Sequence, residues 1–214
     1  MGRSKWLLCF FTVLVVFATG SLICTAEVPN LSITIPTIDA PEIDGDLTDS
    51  GWLKASSLGS KIVVDLANSV DRLSEYPRIT YVGYDDQNLY LAFVVFTPDT
   101  SLLVADAAKW WNCDEVEIFI DPAKSGSLVQ LGFTAGGEAS DSSVKYAINK
   151  DNVRWTGEIA IPFTLLGVAP KQGDVWGINI CGHQIAVGDM WLAWNAPYGA
   201  FKNATRMADL VFGE

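Results

Sequence analysis

Residues 110–121 read Trp-Trp-Asn-Cys-Asp-Glu-Val-Glu-Ile-Phe-Ile-Asp. Val116, Ile118 and Ile120 alternate with Glu115, Glu117 and Phe119. A period of two is the mark of a β-strand with one face turned to an apolar core. The opposite face then carries two carboxylates just downstream of Trp111 and Cys113. An indole beside hydrogen-bonding carboxylates makes a polar-aromatic binding surface, and the rest of the chain is expected to be its scaffold.

The same reading extends along the chain. Arg78–Tyr84 and Leu89–Phe96 are rich in Ile, Tyr, Phe and Val, with Asp85-Asp86-Gln87-Asn88 between them as a tight hairpin loop. Leu128–Thr134, Val144–Ile148, Val153–Ile161, Val175–Cys181, Met190–Asn195 and Asp209–Phe212 are further strands. Residues 162–167, Pro-Phe-Thr-Leu-Leu-Gly, place Pro at the start and Gly at the end of a single helical turn. No segment keeps helical periodicity for long. Many short strands separated by Gly and Pro turns predict an all-β chain, an antiparallel β-sandwich of jelly-roll or immunoglobulin-like type with at most one short helical turn. Trp52, Trp155 and Trp176 are expected in its core.

Residues 1–26 read as a secretory signal peptide. Arg3 and Lys5 give a basic start, an apolar run follows from Trp6, and Cys24-Thr25-Ala26 offers small residues at a cleavage point. Residues 27–37 form an N-terminal segment, and 38–214 one sandwich domain. Cleavage removes two cations and no acid, moving the formal charge from −11 to −13. Such a surface repels nucleic acid and anionic lipid, so neither nucleic acid nor, after signal cleavage, a membrane is expected as partner. The implied location is secreted, extracellular or periplasmic. Cys113 and Cys181 remain after cleavage, an even pair in an oxidising compartment, either disulfide-bonded or two buried thiols. Asn203-Ala204-Thr205 and Asn30-Leu31-Ser32 are glycosylation sequons in a eukaryotic secretory pathway.

Four acids fall between Asp114 and Asp121. Glu115 and Glu117 lie one strand repeat apart, about 7 Å, but on one surface rather than across a substrate. A hydrolytic pair is therefore the weaker reading and a solvated strand face the stronger. Asp85-Asp86 supply two oxygen donors of the kind calcium takes, although a simple hairpin turn explains them better. His183 is the only histidine. With Met190 or Met207 it has the make-up of a haem axial pair, and alone it makes neither a zinc site nor a catalytic triad. No phosphate loop, nucleophile elbow or Cys-x-x-Cys is present.

Taken in order, Ile43-Asp44-Gly45, Trp52, Tyr84-Asp85-Asp86-Gln87-Asn88-Leu89-Tyr90 and Trp111-x-x-Asp114-x-Val116-Glu117-Ile118-Phe119-Ile120-Asp121 resemble the family 9 carbohydrate-binding modules. Gly157-Glu158-Ile159-Ala160-Ile161-Pro162, Gly177-Ile178-Asn179 and Trp194-Asn195-x-Pro197 continue the likeness, which covers roughly 38–212. The wider superfamily includes DOMON-like domains. The resemblance implies a jelly-roll sandwich and a non-catalytic, secreted domain that grips a terminal sugar between two aromatic rings. Trp111 corresponds to the first ring, Phe201 to the second, and Glu117 to the acid between them. Gln130 and Asn195 are added hydrogen-bonders. Pyranose C–H faces pack on aromatic planes while hydroxyls need polar partners.

Three positions depart from the family pattern. Gly132 stands where an arginine is expected, Thr134 where an asparagine is, and Cys181 where a glutamine is. Because Cys113 shares the period-two phase of Trp111 and Glu117, both cysteines are expected on the ligand face, close enough to bond and to fill part of the sugar pocket. The implied partner is an oligo- or polysaccharide, with no cofactor. The alternatives carried forward are a haem-binding DOMON-like electron-transfer domain and a protein-interaction domain with a vestigial sugar site.

Overall fold

The computed structural model describes residues 31–65, 69–106 and 109–214. The predicted signal peptide and the Asn30 sequon lie outside them. The strands are β1 (Ser32–Ile35), β2 (Ser56–Asp65), β3 (Ser69–Tyr84), β4 (Asn88–Phe96), β5 (Glu115–Asp121), β6 (Val129–Thr134), β7 (Lys145–Lys150), β8 (Arg154–Pro162), β9 (Val175–Gln184), β10 (Met190–Ala193) and β11 (Ala208–Phe212). One layer runs β7-β8-β4-β3-β2, all antiparallel. The other runs β6-β5-β9-β11-β1, antiparallel except for the parallel β11–β1 pair. β10 pairs with both β2 and the end of β9, joining the layers. The result is the expected β-sandwich.

The core follows from alternation. Leu89, Leu91, Phe93 and Val95 of β4 and Trp155, Ile159 and Ile161 of β8 pack against Val116, Ile118 and Ile120 of β5 and Ile178 and Ile180 of β9. Trp155 meets Phe93 edge to face at 5.0 Å. β4 is a nearly unbroken apolar run because its other face is covered too. Tyr90 and Ala92 join Ile38, Trp52 and Ala160 in a second cluster beneath the segment 38–55. Trp155, Trp176 and Trp52 are all buried as expected, Trp52 in this second cluster.

A single carboxylate fastens that covering segment. Glu158, buried on the outer face of β8, accepts hydrogen bonds from Trp52 Nε1 at 2.6 Å, Gly45 N at 2.8 Å and Asp44 N at 3.1 Å. Gly45 has φ +92°, and a Cβ there would lie 2.4 Å from the Ile148 carbonyl carbon. Only glycine meets both conditions. The Ile43-Asp44-Gly45, Trp52 and Gly157-Glu158 motifs are thus one latch.

The hairpin between β3 and β4 is an Asx turn. Asp85 Oδ1 accepts from Gln87 N and Asn88 N, each at 2.7 Å, and Oδ2 accepts from the Tyr90 hydroxyl at 2.8 Å. The α-helical turn α1 (Phe163–Leu166) follows Pro162 and ends at Gly167, φ +75°. Short 3-10 turns occur at Ser50–Leu53, Thr100–Leu102, Trp110–Asn112, Pro122–Lys124 and Ala204–Arg206.

The 3-10 turn at Trp110–Asn112 corrects two expectations. Strand alternation begins only at Glu115, so Cys113 does not inherit the phase of Glu117. Cys181 pairs in register with Glu117, whereas Cys113 lies upstream by about 13 Å of extended chain. A disulfide needs Cα atoms within about 7 Å. Cys113 and Cys181 are both buried thiols, and no disulfide joins them. Alkylation of the unfolded, unreduced protein is expected to label both sites. A disulfide-linked peptide pair in the mass spectrum would contradict the structure.

Candidate functional site

The outer face of β6, β5, β9 and β10 builds the site row by row. Gly132, Glu117, Cys181 and Ala193 are cross-strand partners in one row, and Gln130, Phe119 and Asn179 in the next. This face is not solvated: every residue of β5, including Glu115 and Glu117, is buried. The covering pieces explain why.

On the β6 side stands Trp110. A Cβ at Gly132 would lie 2.2 Å from its Cε3, so a side chain at 132 and this indole exclude one another. Trp110 therefore occupies the room that a side chain at position 132 would need. Trp111 is next to it, edge to face at 5.5 Å, and 45% exposed. Lys109 Nζ lies 5.3 Å from the centroid of the Trp111 ring.

On the β9–β10 side stands Phe201. It is only 6% exposed and packs with Phe119, Cys181, Ala193 and Met207. Trp191 meets it at 5.6 Å and stacks on His183 at 3.9 Å with the planes 8° apart. The rows put Trp110 and Phe201 on opposite sides of Glu117, across two strand spacings of about 10 Å. Phe201 lies within a small hydrophobic cluster, so Trp111 is the exposed member of the anticipated ring pair.

Glu117 lies between the two sides, 6% exposed, and accepts a hydrogen bond from Gln130 Nε2. Burial pushes its carboxyl up to about 7, against the opposing pull of the Gln130 bond and the Arg78 charge. Because the Gln130 amide turns its N–H toward Glu117, its carbonyl is the group left to face outward. Glu117 thereby fixes which way Gln130 points.

Behind it lie two buried ionisable groups, Arg78 and Glu115, coupled through their charges. Arg78 is fully buried, its guanidinium without a hydrogen bond to the protein, and burial lowers it to about 10 against the attraction of Glu115. Burial raises Glu115 well above the ordinary carboxylate range, helped by Glu117 and opposed by Arg78. Glu115 Oε1 accepts from His183 N at 2.9 Å. On β3, Arg78 and Thr80 share the inward phase of Val82 and Tyr84, and that shared phase is the sequence signal for a buried Arg78.

Asn195 holds the loop beyond β10 together. Its N–H donates to Asn179 Oδ1 at 3.1 Å, its carbonyl accepts from Asn179 Nδ2 at 2.9 Å, and its Nδ2 donates to Arg206 O at 2.8 Å. The sequon residue Asn203 likewise donates its Nδ2 to Pro197 O at 2.8 Å. His183 Nε2 lies 2.5 Å from Asp189 Oδ1, and its Nδ1 is buried. Met207 belongs to the Phe201 cluster. Among the described residues no three His, Cys, Asp or Glu side chains come together as a metal site, and the hairpin hydrogen bonds occupy both oxygens of Asp85.

Beside Gln130 the surface opens into a hollow of about 380 Å³, lined by Trp110, Trp111, Gln130, Ser140, Asp141 and Leu165 among others. Indoles on one side and hydroxyl, amide and carboxylate on the other suit a ligand with both apolar faces and many hydroxyls.

The family described as carbohydrate family 9 binding domain-like matches residues 43–213. The chain belongs to that family. No curated protein matches the sequence. Among solved structures, a family 9 carbohydrate-binding module from Caldicellulosiruptor kristjanssonii in complex with glucose superposes with a TM-score of 0.68 at 16% identity, covering 86% of this chain and 96% of that one. A structure of a family 9 module from the same organism with cellotriose gives 0.64 at 16% identity, covering 85% and 93%. At this identity the likeness shows the shared fold.

Proposed function

We propose that this protein is a secreted, non-catalytic domain that binds a saccharide, with Trp111 as stacking platform. The carrying observation is the exposed Trp111 indole beside Gln130, whose amide a buried Glu117 holds in one orientation. Family membership supports it, as do the family 9 structures that hold glucose and cellotriose. Non-catalytic action agrees with the burial of Glu115 and Glu117, which are shielded from a scissile bond. The burial of Phe201 favours a one-sided grip over a two-ring clamp.

Isothermal titration with glucose and cellotriose tests this. Trp111→Ala is expected to weaken cellotriose binding at least tenfold, a loss in the range found for a base stacked on an aromatic side chain. Failure of the unaltered protein to bind either sugar, or equal binding by the variant, would refute the proposal.

A further inference from the structure

We propose that the sugar ring seats in the hollow on the β6 side, between Trp110, Trp111 and the loop residues Ser140 and Asp141, and that Asp141 makes the site select uncharged pyranoses over uronates. This rests on the saccharide-binding reading above and assigns it a different seat from the Trp111–Phe201 clamp.

Three observations carry it. First, the clamp side is closed. Phe201 is packed on Phe119 and Cys181, and Trp110 fills the space above Gly132. Second, the hollow has the size and lining a pyranose needs. Its volume of about 380 Å³ lies within the range of small-molecule sites. Third, its polar wall is rigid and correctly charged. Ser140 N donates to Gly132 O at 2.8 Å, and Ser140 Oγ accepts from Gly132 N at 2.9 Å. This pins the loop to β6 and leaves the Ser140 hydroxyl hydrogen for a ligand. Asp141 Oδ1 accepts from Ser143 N at 2.8 Å and Ser143 Oγ at 2.6 Å. These bonds leave Oδ2 available to accept from a sugar hydroxyl. The Ser143 bonds hold Asp141 below the usual carboxylate range, so it stays ionised wherever the protein is folded near neutrality.

A carboxylate at the wall bonds well to hydroxyls, because charge-assisted hydrogen bonds are the stronger kind. It repels a sugar that carries its own carboxylate. Gln130 supplies a second outward acceptor. The chemistry therefore selects a neutral ring with hydroxyls at its edge and C–H groups on its face.

The test is titration of the full protein, Asp141→Asn, Ser140→Ala and Trp111→Ala with cellotriose and with trigalacturonate. The unaltered protein is expected to bind cellotriose and not trigalacturonate. Asp141→Asn should lose about tenfold for cellotriose, as expected for one charged hydrogen bond, and Ser140→Ala a few-fold. If both loop variants bind cellotriose within twofold of the unaltered protein while Trp111→Ala does not, the hollow is not the seat and the saccharide-binding reading stands. Tight trigalacturonate binding by the unaltered protein overturns the charge selection. If no saccharide binds, both proposals fall.

Discussion

Glu158→Ala is expected to destabilise the protein by about 3–5 kcal/mol, among the largest effects of any polar substitution in the chain. The reason is the donor count at one buried carboxylate. Oε1 serves the Trp52 indole, and Oε2 serves the backbone of Asp44 and Gly45. Alanine leaves three donors without partners beneath the segment that covers β4 and β8, and each buried donor so orphaned costs about 1–3 kcal/mol. Glu158→Gln separates charge from shape. An amide offers one acceptor and one donor end, so it satisfies either Trp52 or the Gly45 turn and opposes the other. About half of the alanine effect should remain. Trp52→Phe removes one donor along with its bond, and its effect should be less than additive with Glu158→Ala because the two share that bond. Urea unfolding monitored by tryptophan fluorescence measures all three. A loss under about 1 kcal/mol for the alanine variant would show that the latch does not hold the segment.

The latch also shows what kind of structure a sequence discloses. Strict alternation in β5 and the apolar run of β4 are local signals, and both strands lie where the pattern places them. β2 begins Ser-Ser-Leu-Gly-Ser, with Leu58 its one large apolar side chain, and is held by its pairing with β3 and β10 rather than by its own propensity. The errors at the site share one cause. Period-two phase does not extend upstream through Trp110–Asn112, because a 3-10 turn resets the direction of side chains. Alternation alone therefore places the two cysteines together and does not disclose that Trp110 covers Gly132. Its role depends on Gly132, a residue remote in sequence whose missing side chain makes room for it. Burial of Phe201 depends in the same way on a loop that meets the sheet only in three dimensions, whereas the Glu117–Gln130 contact is a diagonal pair across β5 and β6.

Stability is expected to fall as pH rises from about 4.5 to 7, the reverse of the common acid sensitivity of proteins. Burial raises Glu117 from 4.5 to about 7 in the folded state. Between those values the folded protein holds a proton that the unfolded chain releases, and stability declines with pH wherever the folded state binds more protons. The shift corresponds to about 3 kcal/mol for this group at 1.36 kcal/mol per unit. Glu115 and Glu158 are raised by burial as well and act in the same direction. The surface acids Asp99, Asp141 and Asp151 are lowered by local hydrogen bonds, and their contribution is lost only as pH drops below the ordinary aspartate range. The urea midpoint should therefore be higher at pH 5 than at pH 7.5. Glu117→Gln, which is neutral at every pH, should remove the part of that slope centred between 4.5 and 7. An unchanged slope in that variant would show that Glu117 is ionised in the fold. The same titration reaches the ligand face through Gln130. Above pH 7 the Glu117 carboxylate accepts the Gln130 N–H and turns its carbonyl outward, whereas the protonated acid also has a hydrogen to donate and no longer dictates one orientation of the amide. Saccharide affinity should accordingly strengthen as pH rises through about 7, where the folded protein's Glu117 ionises, and become independent of pH there in Glu117→Gln.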